Sequence, residues 1–334
     1  MSGRVVIPVL LLLTITLFVC SLMIGTYVIS LHDIKESILR FDKANDVHYV
    51  LMHLRLPRVI LAFLVGAALA FSGYLIQIMV NNPLAEPYLM GTASGASLGA
   101  NLVYTGIVPF TFAGFQMTPV FAFAGAAGVS LLVISLSYEK GHINPAKLLL
   151  GGVALSSFLV AVISLLIFFS DTESKLKAVI VWSMGSFERA GWDFIPLLTI
   201  TLIASNCIFV FFQKHLNILL LGESRSYTLG VKVSQLRWFI LIFISLNTGF
   251  AVATSGPIGF VGLFIPHFVR ALFGITGRFN LLYSSWIGGL FILGCDYASR
   301  IAYPPAGLPI GIITSFLGIP FFVYLLHKRN YSFS

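Results

Sequence analysis

The sequence predicts an all-α polytopic membrane protein with about ten transmembrane helices. Three observations carry that expectation. Of 334 residues, 58% are hydrophobic and only 10% charged, with a mean hydropathy of +0.96, whereas soluble domains carry about 25% charged residues. Apolar runs recur from end to end near the length a bilayer demands, about 20 residues per helix. The stretches between them are short, so no separate soluble domain fits, and residues 1–334 are expected to form a single transmembrane domain.

The first run, 5–31, exceeds a signal-peptide core and no A-x-A cleavage site follows it, so it is expected to persist as a helix. Residues 32–53 are polar and of mixed charge, an extramembrane segment. The second run, 56–80, opens on Arg55-Leu56-Pro57-Arg58 and closes at Asn81-Asn82-Pro83-Leu84-Ala85-Glu86-Pro87, where two prolines stop the helix. The third, 88–104, is spelled in small residues, with Gly91, Gly95 and Gly99 four apart on one helix face. Helices in lipid associate by close packing of small residues, so this stripe reads as a packing face or as the smooth wall of a solute path. Runs four and five cover 110–136 and 147–169. Residues 171–193 suit a short interfacial helix, with Trp182 and Trp192 at headgroup depth. Runs six and seven cover 194–212 and 234–254. The eighth, 260–273, is short and follows Gly256-Pro257-Ile258-Gly259; irregular backbone at membrane depth must be buried in protein or line a cavity. Runs nine and ten cover 281–301 and 310–326.

Ten spans put both termini on one face. That face carries eleven basic residues, among them Arg4, Lys140, Lys328 and Arg329, against three acids; the other carries nine of each. The positive-inside rule then places both termini in the cytoplasm and accounts for the net charge of +8 without nucleic acid. Cys20, Cys207 and Cys295 sit in apolar runs at no metal-binding spacing and are expected to be free thiols.

Asp296 and Arg300, four apart near the outer end of the ninth run, are spaced for an intrahelical pair. Gln77, Asn101, Asn206 and Asn247 are lone polar residues suited to interhelical hydrogen bonds, and His267 to a polar contact at a helix end. No relay of carboxylates crosses the apolar runs, which argues against a proton-driven pump. Zincin, nucleophile-elbow and P-loop motifs are all missing, so no catalytic residue or metal site is assigned. If transport is ATP-driven, another polypeptide hydrolyses the ATP. The longest cytoplasmic loop, 217–233, displays Leu220, Leu221, Tyr227 and Leu229 on two short helices broken at Gly222, either an apolar knob for a partner or a membrane-surface helix.

Five segments in this order, 55–58 with 66–70, 82–87 with 91–100, 221–231, 256–267 and 308–320, resemble the permease subunits of type II ABC importers, the FecCD family of iron-siderophore, haem and vitamin B12 uptake. The resemblance extends from about residue 50 to the C-terminus. It implies a vitamin B12 permease-like fold in the bacterial inner (cytoplasmic) membrane and a homodimer around one central path, lined by the fifth and tenth runs. It implies two ATP-binding cassette ATPase subunits below, carrying the ATP and Mg, and one periplasmic substrate-binding protein above; this chain itself binds no cofactor. Coupling helices map onto 217–230, with Leu220, Leu221, Gly222, Glu223, Leu229 and Gly230, and Glu223 in the loop that meets the ATPase. Arg55, Arg58 and Arg300 match the arginines that dock acidic residues of the binding protein, and an arginine fork recognises a carboxylate at two points. Path or packing positions are Gly91, Gly95, Gly99, Phe158, Phe168, Gly311, Phe316 and Gly318. The phenylalanines favour a bulky chelate or macrocycle over a bare anion. Molybdate or tungstate import on the same fold, an ATP-independent secondary transporter, and an assembly subunit without a solute path are the alternatives.

Overall fold

The computed structural model describes residues 3–25, 27–112, 115–139, 142–170, 173–304 and 307–327. Lys140, Lys328 and Arg329 of the charge tally lie outside the described residues, as does the side chain of Arg4. Helices occupy all ten predicted runs: α1 (Gly3–Met23), α4 (Leu56–Met79), α5 (Thr92–Tyr104), α6 (Met117–Ser137), α7 (Pro145–Phe168), α9 (Ile195–Leu219), α11 (Val233–Ser255), α12 (Val261–Phe273), α13 (Asn280–Ala302) and α14 (Ile310–His327). Between them lie α2 (Leu31–Leu39), α3 (Asp46–Val50), α8 (Glu173–Ser183) and α10 (Glu223–Thr228). The described residues also form two short antiparallel ribbons, β1 (Thr111–Phe112) with β2 (Phe115–Gln116) and β3 (Tyr138–Glu139) with β4 (His142–Ile143), and a 3-10 turn at Pro87–Met90.

Six of the described helices are long and apolar enough to cross a membrane: α1, the continuous helix Asp46–Met79, α6, α7, α9 and α11. The expected ten is therefore a count of apolar runs. With 13 residues each, α5 and α12 reach ~20 Å at 1.5 Å per residue, short of a hydrocarbon core of ~30 Å. At 23 residues α13 has the length, but it carries Asp296 and Arg300.

The core is built around α4, which is buried on every side from Leu64 to Met79, as befits a helix that is apolar all round. It packs against α9, α11, α12 and α13. Two glycine pairs bring the backbones together: a Cβ at Gly66 would strike the Gly288 carbonyl of α13, and one at Gly73 would strike the Gly262 carbonyl of α12. Such contacts suit lipid, where dispersion and not water exclusion holds helices together.

Local signals set the ends. The Ser30 hydroxyl accepts the Asp33 N–H while the Asp33 carboxylate accepts the Ser30 N–H, a capping box that starts α2. Asn144 accepts the N–H groups of Ala146 and Lys147 ahead of Pro145, starting α7. Between α3 and α4, Leu51–Arg55 forms a π turn, an insertion frequent at functional sites.

The helices differ in how far the chain covers them. Of the 24 residues of α7, only Leu148, Gly152 and Leu159 are buried. Phe158 and Phe168 on α7 and Phe316 on α14 are largely exposed. These apolar faces have no partner within the described residues, so lipid or another protein surface must cover them.

Candidate functional site

The irregular segment before α12 meets the one before α5. Phe260 takes a left-handed conformation at φ 70°, and the sharp turn leaves its N–H outside any helix. The Glu86 carboxylate accepts that N–H at 2.8 Å, and a carboxylate suits the positive end of a helix. The Tyr88 hydroxyl accepts the Ile258 N–H at 2.9 Å and donates to the Ile258 carbonyl at 3.0 Å. Two short helices thus start from one hydrogen-bonded junction, the arrangement lipid requires of broken helices.

Beside this junction lies a cavity of about 730 Å³, lined by Tyr88, Met184, Pro257, Gly311, Phe316 and Pro320 among others, none of them charged among the described residues. The first turn of α14 is tied to the end of α8: the N–H groups of Ile310 and Gly311 donate to the Gly185 and Met184 carbonyls, each at 2.9 Å. Gly311 and Phe316, predicted as path residues, therefore line the cavity. Gly318 does not: its face abuts the Phe260 side chain. The Gly91, Gly95 and Gly99 stripe turns toward α6, where added Cβ atoms would collide with Val129, the Gly125 carbonyl and the Phe121 carbonyl. Of the two readings of that stripe, the geometry is packing, because three small residues on one face let α5 approach α6 backbone to backbone.

At the α2 and α8 end, Asp296 is fully buried. Its Oδ1 accepts from Arg58 Nε at 2.9 Å and lies 2.8 Å from Arg58 Nη2, while its Oδ2 lies 3.1 Å from Arg300 Nε. Arg300 Nη1 also donates to the Ser21 and Ile24 carbonyls at 2.8 and 3.0 Å. Arg55 donates to Leu22, Met23 and Tyr27 carbonyls at 2.7, 2.9 and 2.6 Å. These oxygens lie at and just beyond the end of α1, where carbonyls lack intrahelical partners and the dipole favours cations. The three arginines expected to present free forks are thus unequal. Arg55 and Arg300 are buried and cap α1; Arg58 is the more exposed. All three still line a cleft of about 360 Å³ with Phe187, Glu188 and Pro304.

At the α10 end, Leu221, Tyr227 and Leu229 are exposed, while Leu220 is half-buried. Gly222 and Gly230 hold φ of 92° and 80°, which lets the chain turn sharply on both sides of α10. The buried Ser226 hydroxyl donates to the Ile218 and Gly222 carbonyls, pinning α10 to the end of α9. Glu223, expected in the loop facing a partner, already has one within the chain: its Oε2 lies 2.9 Å from Nη1 of the buried Arg237.

Several polar contacts match the expectation of interhelical bonds. Asn247 donates to Ser205 at 2.7 Å and Asn206 to Ser285 at 3.3 Å. Gln77 donates to the Gly262 and Leu263 carbonyls and accepts from Arg270, whose guanidinium lies over the Tyr74 ring. The Asn101 amide differs, donating to Ser97 within its own helix. Arg237, Tyr88 and the role of Glu86 went unseen in the sequence, where each is a single polar letter with no partner at helical spacing. Cys20, Cys207 and Cys295 are free thiols. Among the described residues no group of three His, Cys, Asp or Glu could hold a metal ion.

The FecCD transport family model matches residues 12–328. The hemin transport system permease protein HmuU of Yersinia pestis is 36% identical over 339 residues, covering 99% of this chain and 98% of that protein. The molybdate import system permease protein MolB of Haemophilus influenzae is 34% identical, covering 97% and 96%. A solved structure described as an inward-facing conformation of a metal-chelate type ABC transporter superposes with a TM-score of 0.82 at 32% identity, covering 96% of this chain and 97% of that one.

Proposed function

The chain belongs to the FecCD transport family as an ABC importer permease, and from that premise we propose that it imports an iron chelate, haem or cobalamin as a homodimer. The observation that carries the choice is the cavity beside the α5 and α12 junction, walled by Tyr88, Met184, Phe316 and Pro320 without a charged side chain among the described residues. The wall offers a bare oxyanion only the hydroxyls of Tyr88, Ser183 and Ser315 and no cation, so the ion loses hydration without gaining a charged partner. A large chelate or macrocycle presents apolar surface that the wall can meet. One relative is named for hemin and another for molybdate, so the family by itself leaves the substrate open.

The second copy covers the bare faces of α7 and α14 and closes the path between them. Both termini and α10 face the cytoplasm, and the chain sits in the bacterial inner membrane; the charge asymmetry of the loops supports this orientation. Two ATPase subunits, which bind ATP and Mg, engage Leu221, Tyr227 and Leu229. One periplasmic binding protein docks an acidic residue at the cleft beside Arg58. ATP binding and hydrolysis then drive alternating access, and this chain contributes shape and coupling without covalent chemistry.

The test is reconstitution of the permease in proteoliposomes with the ATPase and the binding protein that co-purify with it. ATP-dependent uptake of haem, a ferric siderophore or cobalamin is expected. Uptake of molybdate alone would overturn the chelate reading, and uptake driven by an ion gradient without ATP would overturn the importer reading.

A further inference from the structure

Arg237 stands in the first turns of α11, with its guanidinium buried between two other elements. Its Nη1 meets the Glu223 carboxylate of α10 at 2.9 Å and donates to the Ile143 carbonyl of β4 at 3.1 Å. Ile143 is fully buried and immediately precedes Asn144, the N-cap of α7. A second contact ties the same hairpin to the same helix: the rings of Tyr138 and Trp238 lie 5.8 Å apart. The β3–β4 register and the Lys147–Glu139 pair at 2.7 Å make the hairpin and the first turn of α7 one piece. A displacement of α10 therefore reaches the start of α7 through one side chain.

Farther along, α7 has a close contact of its own. Gly152 packs so tightly against the Leu89 carbonyl that a Cβ would collide with it, and the Ser156 hydroxyl meets Ser94 at 2.8 Å. Most of the helix beyond is exposed, Phe158 and Phe168 included. The contact at 152–156 is a fulcrum: ~10 Å of helix lies before it and ~18 Å after it, at 1.5 Å per residue.

We propose that Arg237 is a positioning residue that transmits movement of α10 to α7, tilting α7 about Gly152 and Ser156 so that its Phe158 and Phe168 face swings across the path. This rests on the reading of the chain as the permease of an ATP-driven importer. It assigns Glu223 a different task from direct contact with the ATPase: the carboxylate is the α10 end of an internal strut. One guanidinium nitrogen that holds both an ion pair and a hydrogen bond makes the link directional, which a lysine, with one compact charge, reproduces only in part.

The experiment uses the reconstituted complex with its ATPase and binding protein, comparing the native chain with Glu223→Gln, Arg237→Lys and Arg237→Gln. Solute delivered per ATP hydrolysed is expected to fall about fivefold or more in Glu223→Gln and Arg237→Gln, the scale of ordinary coupling free energies, with partial rescue in Arg237→Lys. Spin labels at Ser224→Cys and Ala146→Cys, in a chain whose native cysteines are replaced by serine, report whether α10 and α7 move together. Their separation is expected to stay constant between nucleotide-free and ATP-bound states, and to change between those states once Glu223→Gln is added. Because Glu223 is partly exposed, that variant keeps the test alive if the Arg237 variants misfold. Unchanged transport per ATP and an unchanged label separation in Glu223→Gln would overturn the strut and leave the importer reading standing. No ATP-dependent uptake by the native complex would overturn both.

Discussion

Arg58 on α4 and Asp296 on α13 are 238 positions apart in sequence, yet their side chains pair at 2.8 Å with the carboxylate wholly out of solvent. Asp296 also faces Arg300, which in turn caps α1. One buried carboxylate therefore links three helices at the α2 and α8 end. Removing one partner from a buried ion pair costs roughly 3–5 kcal/mol, because the remaining charge is left uncompensated. Asp296→Ala is expected to destabilise the protein on that scale, read as loss of thermal stability in detergent. Asp296→Asn, which keeps an acceptor, should lose less.

The two ends of the arginine cluster should separate by function. Arg58→Lys keeps a cation beside the buried Asp296 but loses the planar fork at the cleft; it is expected to weaken binding-protein affinity several-fold, with the protein still inserted and folded. Arg55→Ala removes three bonds to carbonyls at and beyond the end of α1; it should instead raise protease cleavage between α1 and α2. Equal loss of binding-protein affinity in both variants, without added cleavage in Arg55→Ala, would contradict this division.

The α5 and α6 contact gives a prediction with an internal control. Gly99→Ala forces a methyl group into the Phe121 carbonyl, whereas a Cβ at Gly128 meets nothing within 4 Å. Gly99→Ala should cost roughly 1–3 kcal/mol through overpacking. Gly128→Ala should be neutral or stabilise by up to ~1 kcal/mol through helix propensity. Chemical denaturation in mixed micelles reads both.

At the helix junction, Glu86→Gln retains an oxygen to accept the Phe260 N–H, and Glu86→Ala does not. An orphaned buried donor costs about 1–3 kcal/mol. Hydrogen exchange at the start of α12 should therefore quicken in Glu86→Ala and stay near native in Glu86→Gln.

The start of α2 should respond to acid. The Ser30 hydroxyl and N–H hold the Asp33 carboxyl below its usual range. A carboxyl with a depressed folded value contributes stability above its unfolded pKa of ~3.9 and loses it as the pH falls through the lower folded value. The protection factors of the α2 amides, with intrinsic exchange divided out, are expected to fall as the pH drops through that range, and Asp33→Asn should remove this fall.

Periodicity and composition made the ten helices legible, since apolar runs of fixed length have one economical structure in lipid. The 82–87 and 256–260 breaks were equally legible, because proline and glycine act on the backbone locally. The Asp296–Arg300 pair was visible at i, i+4 spacing, and Arg55 and Arg58 stood out as charges beside an apolar run. The function of those arginines was less visible: spacing could not tell which fork faced the cleft and which capped α1, a helix 32 residues earlier.

The sequence by itself determined the class of the molecule, its helices, its breaks and the small-residue face of α5, all of them properties of residues within a few turns of one another. Only the tertiary structure decided that this face meets α6, that Asp296 joins α4 to α13, and that Arg237 connects α10 to the cap of α7. Those contacts depend on which helices become neighbours and at what rotation. A single glycine, aspartate or arginine is compatible with many partners until packing brings one of them into contact, for a hydrogen bond within about 3.2 Å.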